Sequence, residues 1–298
     1  MPVVHSLSLA SRYGKSIRSM EEWRVERLAL NRGWVEGKSA WEIANAWVGS
    51  GKPVVPASFQ GLLESHNLTT GVVVEDGIVE HKTHLLYGPS GPRNHDLALW
   101  RREDRPTAFI GIESKADDGF GSTMKDQIAL AHQKRRQGKN TKLDRRMDWL
   151  SRCLLGVSLL GGDNQNAPRW QLEQQIRTKV LQLPFQLFAG VAGTLLEAKK
   201  AESEIAIFVV HQFRTLHTND REIKTDAKAL HRFVSLLVQT NPRPNDPRLR
   251  VPFHCGKLIG PIYINKRDCG EPGESHILPM KLIPYGPSQN KAWNFGPL

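Results

Sequence analysis

Cysteine is scarce in this chain: Cys153, Cys255 and Cys269 are the only three in 298 residues. An odd, sparse set argues against a disulfide framework and fits a reducing cytoplasm. Long apolar runs are missing too. No segment approaches the roughly 20 residues that span a bilayer, so no membrane partner is expected. The opening residues, Met1-Pro2-Val3-Val4-His5-Ser6, lack a charged start followed by an apolar stretch and do not read as a secretory signal. Internal repeats and low-complexity tracts are absent. Acids are in short supply, with 30 Asp and Glu against 41 Lys and Arg, a net charge of +11. That imbalance points to an anionic partner, and nucleic acid is the first candidate. The 39% hydrophobic content is enough for a real core and excludes wholesale disorder.

What is present divides by periodicity. The first 50 residues read as helical. Ser19 stands before Met20-Glu21-Glu22 as an N-cap with acids in the first turn. A second helix begins at Ser39, with Trp41, Ala44 and Val48 at helical spacing and Gly49-Ser50-Gly51 as its stop. From about 70 to 115 the period becomes two. Residues 70–75, 78–87, 96–100 and 108–115 read as strands of an antiparallel meander, with turns at 88–92 and 101–106. Residues 122–160 read as two helices. A helical stretch from 170 to 201 is interrupted near Pro184. Its second half is rich in small residues and suited to packing flat on a sheet. Residues 204–213 form an almost continuously apolar strand, buried on both faces. A helix over 226–239, a loop at 241–247 and a strand over 257–264 complete the pattern. The expectation is an α/β fold in one domain over 1–298. Its core spans about 39–213, with a helical insertion at 122–168 and appended elements over 220–298.

The chemistry concentrates at His95-Asp96-Leu97 and Ile112-Glu113-Ser114-Lys115. In a strand, residues i and i+2 share a face, so Glu113 and Lys115 project together. A hairpin partner brings Asp96 beside them. Two carboxylates and an amine at a sheet end can hold a divalent metal against a phosphodiester. Magnesium suits the task, because it takes oxygen ligands and keeps several waters, and manganese can substitute. Asp96 and Glu113 are the candidate ligands, joined by the Ser114 backbone carbonyl. Lys115 would orient a water or stabilise developing negative charge. A second feature is the basic run of Lys134, Arg135, Arg136, Lys139, Lys142, Arg145 and Arg146, a candidate phosphate-contacting surface.

Plainer explanations stand beside these. Glu113 and Lys115 can be an ion pair at a strand end, Asp96 a turn cap, and the basic run a solvated helix face. Trp23, Trp34, Trp41 and Trp47 read as core rather than stacking platforms. His211, late in a buried strand, reads as a satisfied core histidine. His254, Cys255, Cys269 and His276 match no common zinc spacing.

The acid at 96 and the Glu113-Ser114-Lys115 triplet resemble the PD-(D/E)xK nuclease superfamily. The order of elements is similar to that family's core: helix, three-stranded meander, helix, strand. The resemblance covers about residues 39–213 and extends to members of unassigned function. It implies a restriction-endonuclease-like mixed sheet flanked by helices, with Asp96, Glu113 and Lys115 as the catalytic set. It also implies an extra acid, for which Glu80 is preferred over Glu42 and Glu64, and a helix glutamine, for which Gln186 is well placed. Asp118 is a further candidate. The implied function is magnesium-dependent hydrolysis of nucleic acid, DNA ahead of RNA, in a setting such as restriction or phage defence. A homodimer or an activating partner protein is compatible with it. The alternative is a nucleic-acid-binding protein with this fold and no turnover.

Overall fold

Residues 108–115 and 205–212 carry hardly a polar side chain before their last few positions, and both become central strands buried on both faces. A computed structural model describes residues 7–30, 33–87, 93–100, 108–116, 118–160, 170–216, 218–241, 262–263 and 281–285. Its elements are β1 (Ser8–Ser11), α1 (Met20–Leu28), α2 (Ser39–Val48), α3 (Ala57–Glu64), β2 (Asp76–Thr83), β3 (Arg93–Trp100), β4 (Ala108–Lys115), α4 (Met124–Arg136), α5 (Leu143–Leu155), α6 (Trp170–Leu181), α7 (Phe185–Lys200), β5 (Ile205–Gln212), α8 (Asp220–Thr240), β6 (Ile262–Tyr263) and β7 (Lys281–Tyr285). The strands form one mixed sheet in the order β1-β2-β3-β4-β5-β7-β6. The β2-β3-β4 meander is antiparallel, while β4–β5 and β5–β7 are parallel. The fold is therefore α/β, with helices on both faces of the sheet.

One face buries Ile110, Ile112, Ile207 and Val209 against Trp23 of α1, Ile43 and Trp47 of α2 and Phe59 of α3. The other buries Phe109, Phe208 and Val210 against α7, with α5 and α8 outside it. Phe188 of α7 and Phe233 of α8 meet edge to face at 4.8 Å. Local signals set the helix ends. Ser19 accepts a hydrogen bond from the Glu22 N–H at the start of α1. Thr123 and Asp126 form a reciprocal capping box on α4. Gly156, at φ +72°, closes α5 in the left-handed conformation.

Helix α7 presses on the sheet where side chains are missing. A Cβ on Gly190 would lie 2.6 Å from the Phe208 ring, and one on Gly111 would lie 2.9 Å from the His95 ring and also overlap Thr194. Gly111→Ala is expected to cost about 1–3 kcal/mol of stability, because neither neighbour is a flexible chain end. Urea unfolding of the two proteins checks this.

Several sequence expectations change. Residues 70–75 form no strand; the chain turns there and enters β2 only at Asp76, and β2 ends at Thr83 rather than at 87. Gly71, at φ +82°, supplies the turn that the valines following it mask. The N-terminal region is not all helical, since β1 pairs parallel with β2 at the sheet edge. Helix α3 was not anticipated, and α8 begins at Asp220, capped by Asn219, rather than at 226. Of the strand expected over 257–264, only Ile262–Tyr263 is among the described residues. The turns at 88–92 and 101–106, the Gly161–Asn166 stretch and most of 241–247 lie outside them.

Candidate active site

Strand β4 ends in Glu113-Ser114-Lys115, all three buried although polar. Buried charge needs partners, and each of these residues has them. Lys115 Nζ lies 3.1 Å from Glu113 Oε1, as their shared face requires. Gln186, in the first turn of α7, donates to the same Oε1 at 2.6 Å. Arg93, which opens β3, pairs with Glu113 Oε2. On the opposite face Ser114 Oγ donates to the Ser39 carbonyl at the start of α2 at 3.1 Å.

Asp96 reaches this end by a break in the strand pattern. Val79 and Leu97 pack on the α2 face. His81 and His95, two residues from them, stack on each other beside Phe109 on the α7 face. Regular strands would keep such pairs on one face, so β2 and β3 both switch faces at Glu80 and Asp96. Glu80 makes the switch in left-handed backbone at φ +51°, a conformation costing about 1–2 kcal/mol for a residue with a Cβ. The β3–β4 ladder stops at Leu97↔Ile112. Beyond it the Asp96 carboxylate replaces the ladder: Oδ2 accepts from the Ser114 N–H at 2.8 Å and from Ser114 Oγ at 3.1 Å. The N–H and C=O of a strand residue point to the same edge. The Ser114 carbonyl therefore faces the side that β3 has vacated.

Two arginines that no local motif marked complete the cluster. Arg27 of α1 spans Glu80 Oε1 at 2.5 Å and Asp96 Oδ1 at 3.2 Å; the other is Arg93. Glu80 and Gln186 thus both belong to this cluster, Glu80 through Arg27 and Gln186 through Glu113, and Asp118 lies beside it, bonded to Ser39 Oγ and accepting from the Ala116 N–H at 3.4 Å. The charges decide the protonation states. Burial pulls the Lys115 ammonium down, but Glu113, Asp118 and Asp96 together outweigh it and hold its pKa above the usual lysine value. Burial pushes Glu113 up, but Arg93 and Lys115 overturn that and hold it below the usual value. Lys115 is consequently a fixed cation at neutral pH rather than a general base.

A further acid, Asp226 of α8, escaped the sequence reading. Its Oδ1 accepts from the Phe120 N–H at 3.3 Å, and the Phe120 ring lies 5.4 Å from Lys115 Nζ. Burial raises Asp226 from 3.8 to about 6. A carboxyl raised on folding stabilises fully below its unfolded pKa, and the contribution is lost as pH rises through the folded one. Asp226→Asn keeps an acceptor for Phe120 without the charge. Compared with the wild type, it is expected to be more stable at pH 7.5 by on the order of 1–3 kcal/mol and equal near pH 3.8. Urea titrations at the two pH values read this difference.

Other expectations are corrected. His211 is buried, but its Nδ1 has no hydrogen-bond partner among the described residues, and burial drives it down to about 4. Its ring packs against Phe213 two residues on, with the ring centroids 4.1 Å apart. It is a neutral core histidine rather than a satisfied one. Arg146 leaves the basic surface: it is buried and its Nε donates to the Leu86 carbonyl at 3.3 Å, because its position on α5 faces the core. Lys134, Arg135, Arg136, Lys139, Lys142 and Arg145 stay at or near the surface. Trp23 and Trp47 are fully buried core residues, and His254, Cys255, Cys269 and His276 lie outside the described residues.

The candidate donors, Asp96, Glu113 and the Ser114 carbonyl, are all hard oxygens, which suits Mg²⁺ or Mn²⁺ over zinc. Among the described residues no three His, Cys, Asp or Glu side chains cluster closely enough to hold a metal. Two carboxylates with a backbone carbonyl and a substrate phosphate are the complement magnesium commonly takes. The residues therefore fit, provided that Arg27 yields Asp96. A family described as a domain of unknown function, DUF6946, matches residues 16–258, which takes in every site residue named above. The chain belongs to the DUF6946 family. No curated protein and no solved structure matches it. No described helix of this DUF6946 member is long and apolar enough to cross a membrane.

Proposed function

We propose that this protein is a metal-dependent nuclease of restriction-endonuclease-like fold that hydrolyses phosphodiester bonds, DNA before RNA. The observation that carries the reading is the convergence of Glu113, Lys115 and Gln186 at the end of β4, with Asp96 tied to Ser114 beside them. Asp96, Glu113 and the Ser114 carbonyl would hold Mg²⁺ or Mn²⁺. When bound, such a cation would activate a water and neutralise phosphate charge. Lys115, fixed as a cation, stabilises the negative charge that builds on the phosphate in the transition state. Gln186 and Arg93 hold the Glu113 carboxylate in one orientation. Asp118 and Asp226 flank the segment that lays Phe120 over Lys115. Restriction or phage defence is the setting we favour.

One observation favours a second reading, a nucleic-acid-binding protein without turnover. Three acids, Glu80, Asp96 and Glu113, already face three cations, Arg27, Arg93 and Lys115. With Asp118, which also acts on Lys115, four acids stand against three cations, so most of the negative charge is balanced with no metal at all. The two readings separate in one assay. Supercoiled plasmid, linear duplex, single-stranded DNA and RNA are incubated with Mg²⁺ or Mn²⁺ and wild type, Asp96→Ala or Lys115→Ala. Cutting that needs the metal and disappears in both variants supports the nuclease. Binding without cutting under either metal supports the second reading.

A further inference from the structure

The insertion leaves and re-enters the core at one point. Met124 N–H donates to the Leu183 carbonyl at 2.9 Å, Phe185 N–H donates to the Ser122 carbonyl at 3.0 Å, and Thr123 bridges Pro184. Lys115 lies shortly before this junction in the chain and Gln186 shortly after it. From there α4 runs 13 residues, about 20 Å at 1.5 Å per residue. It then turns at Gly138, whose φ is +71°, and returns as α5.

Charge along this hairpin is graded. The near end of α4 spends its one acid, Asp126, on the capping box. The far end carries Lys134, Arg135 and Arg136, the turn carries Lys139, and α5 opens with Lys142 and Arg145. Arg135 is committed across the hairpin to Asp144 and so braces the tip. Lys134, Arg136, Lys139, Lys142 and Arg145 form no ion pair with any described residue, and all but the half-buried Lys134 are exposed. Holding five like charges together is unfavourable unless a polyanion meets them. The segment from Lys134 to Arg146 contains no aromatic residue. It therefore has no platform for stacking unpaired bases, which single-strand binders combine with charge.

We propose that the α4–α5 tip is a duplex-DNA backbone clamp, gripping phosphates about 20 Å, or roughly six base pairs at 3.4 Å each, from the junction beside the active site. The inference deepens the nuclease reading by assigning it a duplex substrate held at two places. Its own basis is the charge and shape of the hairpin.

The test is equilibrium binding in EDTA, where no metal-dependent cutting occurs, so the result stands whether or not the protein is a nuclease. Fluorescence anisotropy follows a labelled 24-base-pair duplex, the matching single strand and heparin as competitor, across a KCl series. Wild type is compared with the triple variant Arg136→Gln, Lys139→Gln, Lys142→Gln, whose substitutions are exposed and are checked for folding by circular dichroism. The expected result is a log–log salt slope for the duplex that is shallower by about 2.7 in the variant, three contacts at about 0.9 each. Duplex should be preferred over single strand. An unchanged slope would overturn the proposal. So would tip-dependent binding as strong to single strand as to duplex, or tip-dependent binding to heparin with none to DNA.

Discussion

Arg27→Ala is expected to lower the unfolding free energy by about 3–5 kcal/mol, the range for removing one partner of a buried ion pair. Arg27 is the bridge between Glu80 and Asp96, both of which are buried. Without it the two buried carboxylates lose the guanidinium that bridges them in a low-dielectric site. Glu80 also holds a left-handed backbone conformation, whose strain the ion pair offsets. The size of the loss is one part of the prediction and its response to metal is the other. A divalent cation can take the charge that Arg27 supplied. Millimolar Mg²⁺ or Mn²⁺ should therefore stabilise Arg27→Ala more than the wild type, in which the metal must first displace the arginine. Thermal unfolding of both proteins with and without metal measures the difference. Equal metal shifts would mean that Arg27 is a structural pin and no competitor for the metal.

Lys115→Met is expected to reduce metal-dependent cleavage by about 10²–10³-fold, the cost of removing one preorganised group that stabilises transition-state charge. Methionine keeps the length of the side chain and an apolar contact for the Phe120 ring. Glu113 retains Arg93 and Gln186 as partners, so the fold should survive. Duplex binding in EDTA should change little, because the cations assigned to the backbone lie on the α4–α5 tip. Single-turnover cleavage beside the binding curve separates the two effects. A loss of binding equal to the loss of rate would instead make Lys115 a ground-state contact.

Much of this architecture was legible in the sequence. The apolar runs at 108–115 and 205–212 marked the central strands, and the small residues of 185–200 marked the helix that lies flat on them. Ser19, Ser39 and Pro184 marked helix boundaries within about a residue. The shared face of Glu113 and Lys115 followed from the strand period alone. The face switch at Glu80 and Asp96 did not. Simple alternation placed Asp96 beside Glu113, whereas its carboxylate caps Ser114, the residue between Glu113 and Lys115. Arg27 was out of reach of any motif because its partners lie 53 and 69 residues away. Asp226 stands 106 residues from the Phe120 N–H it accepts. Partners of buried charge are set by how α1 and α8 dock on the sheet, and local pattern carries no record of docking. Arg146 shows the same limit within one helix: its position in a run of cations suggested surface, while the amphipathic phase of α5 turned it inward.

Asp96 and Glu113 are proposed to hold a divalent cation together at the end of β4. The most direct measurement is Mn²⁺ binding followed by electron paramagnetic resonance, with a short DNA duplex present and Lys115→Met as the parent protein to suppress turnover. One bound Mn²⁺ is expected in that parent, and it should be lost on adding either Asp96→Asn or Glu113→Gln. No bound Mn²⁺ at millimolar metal, or binding untouched by both substitutions, would contradict that assignment.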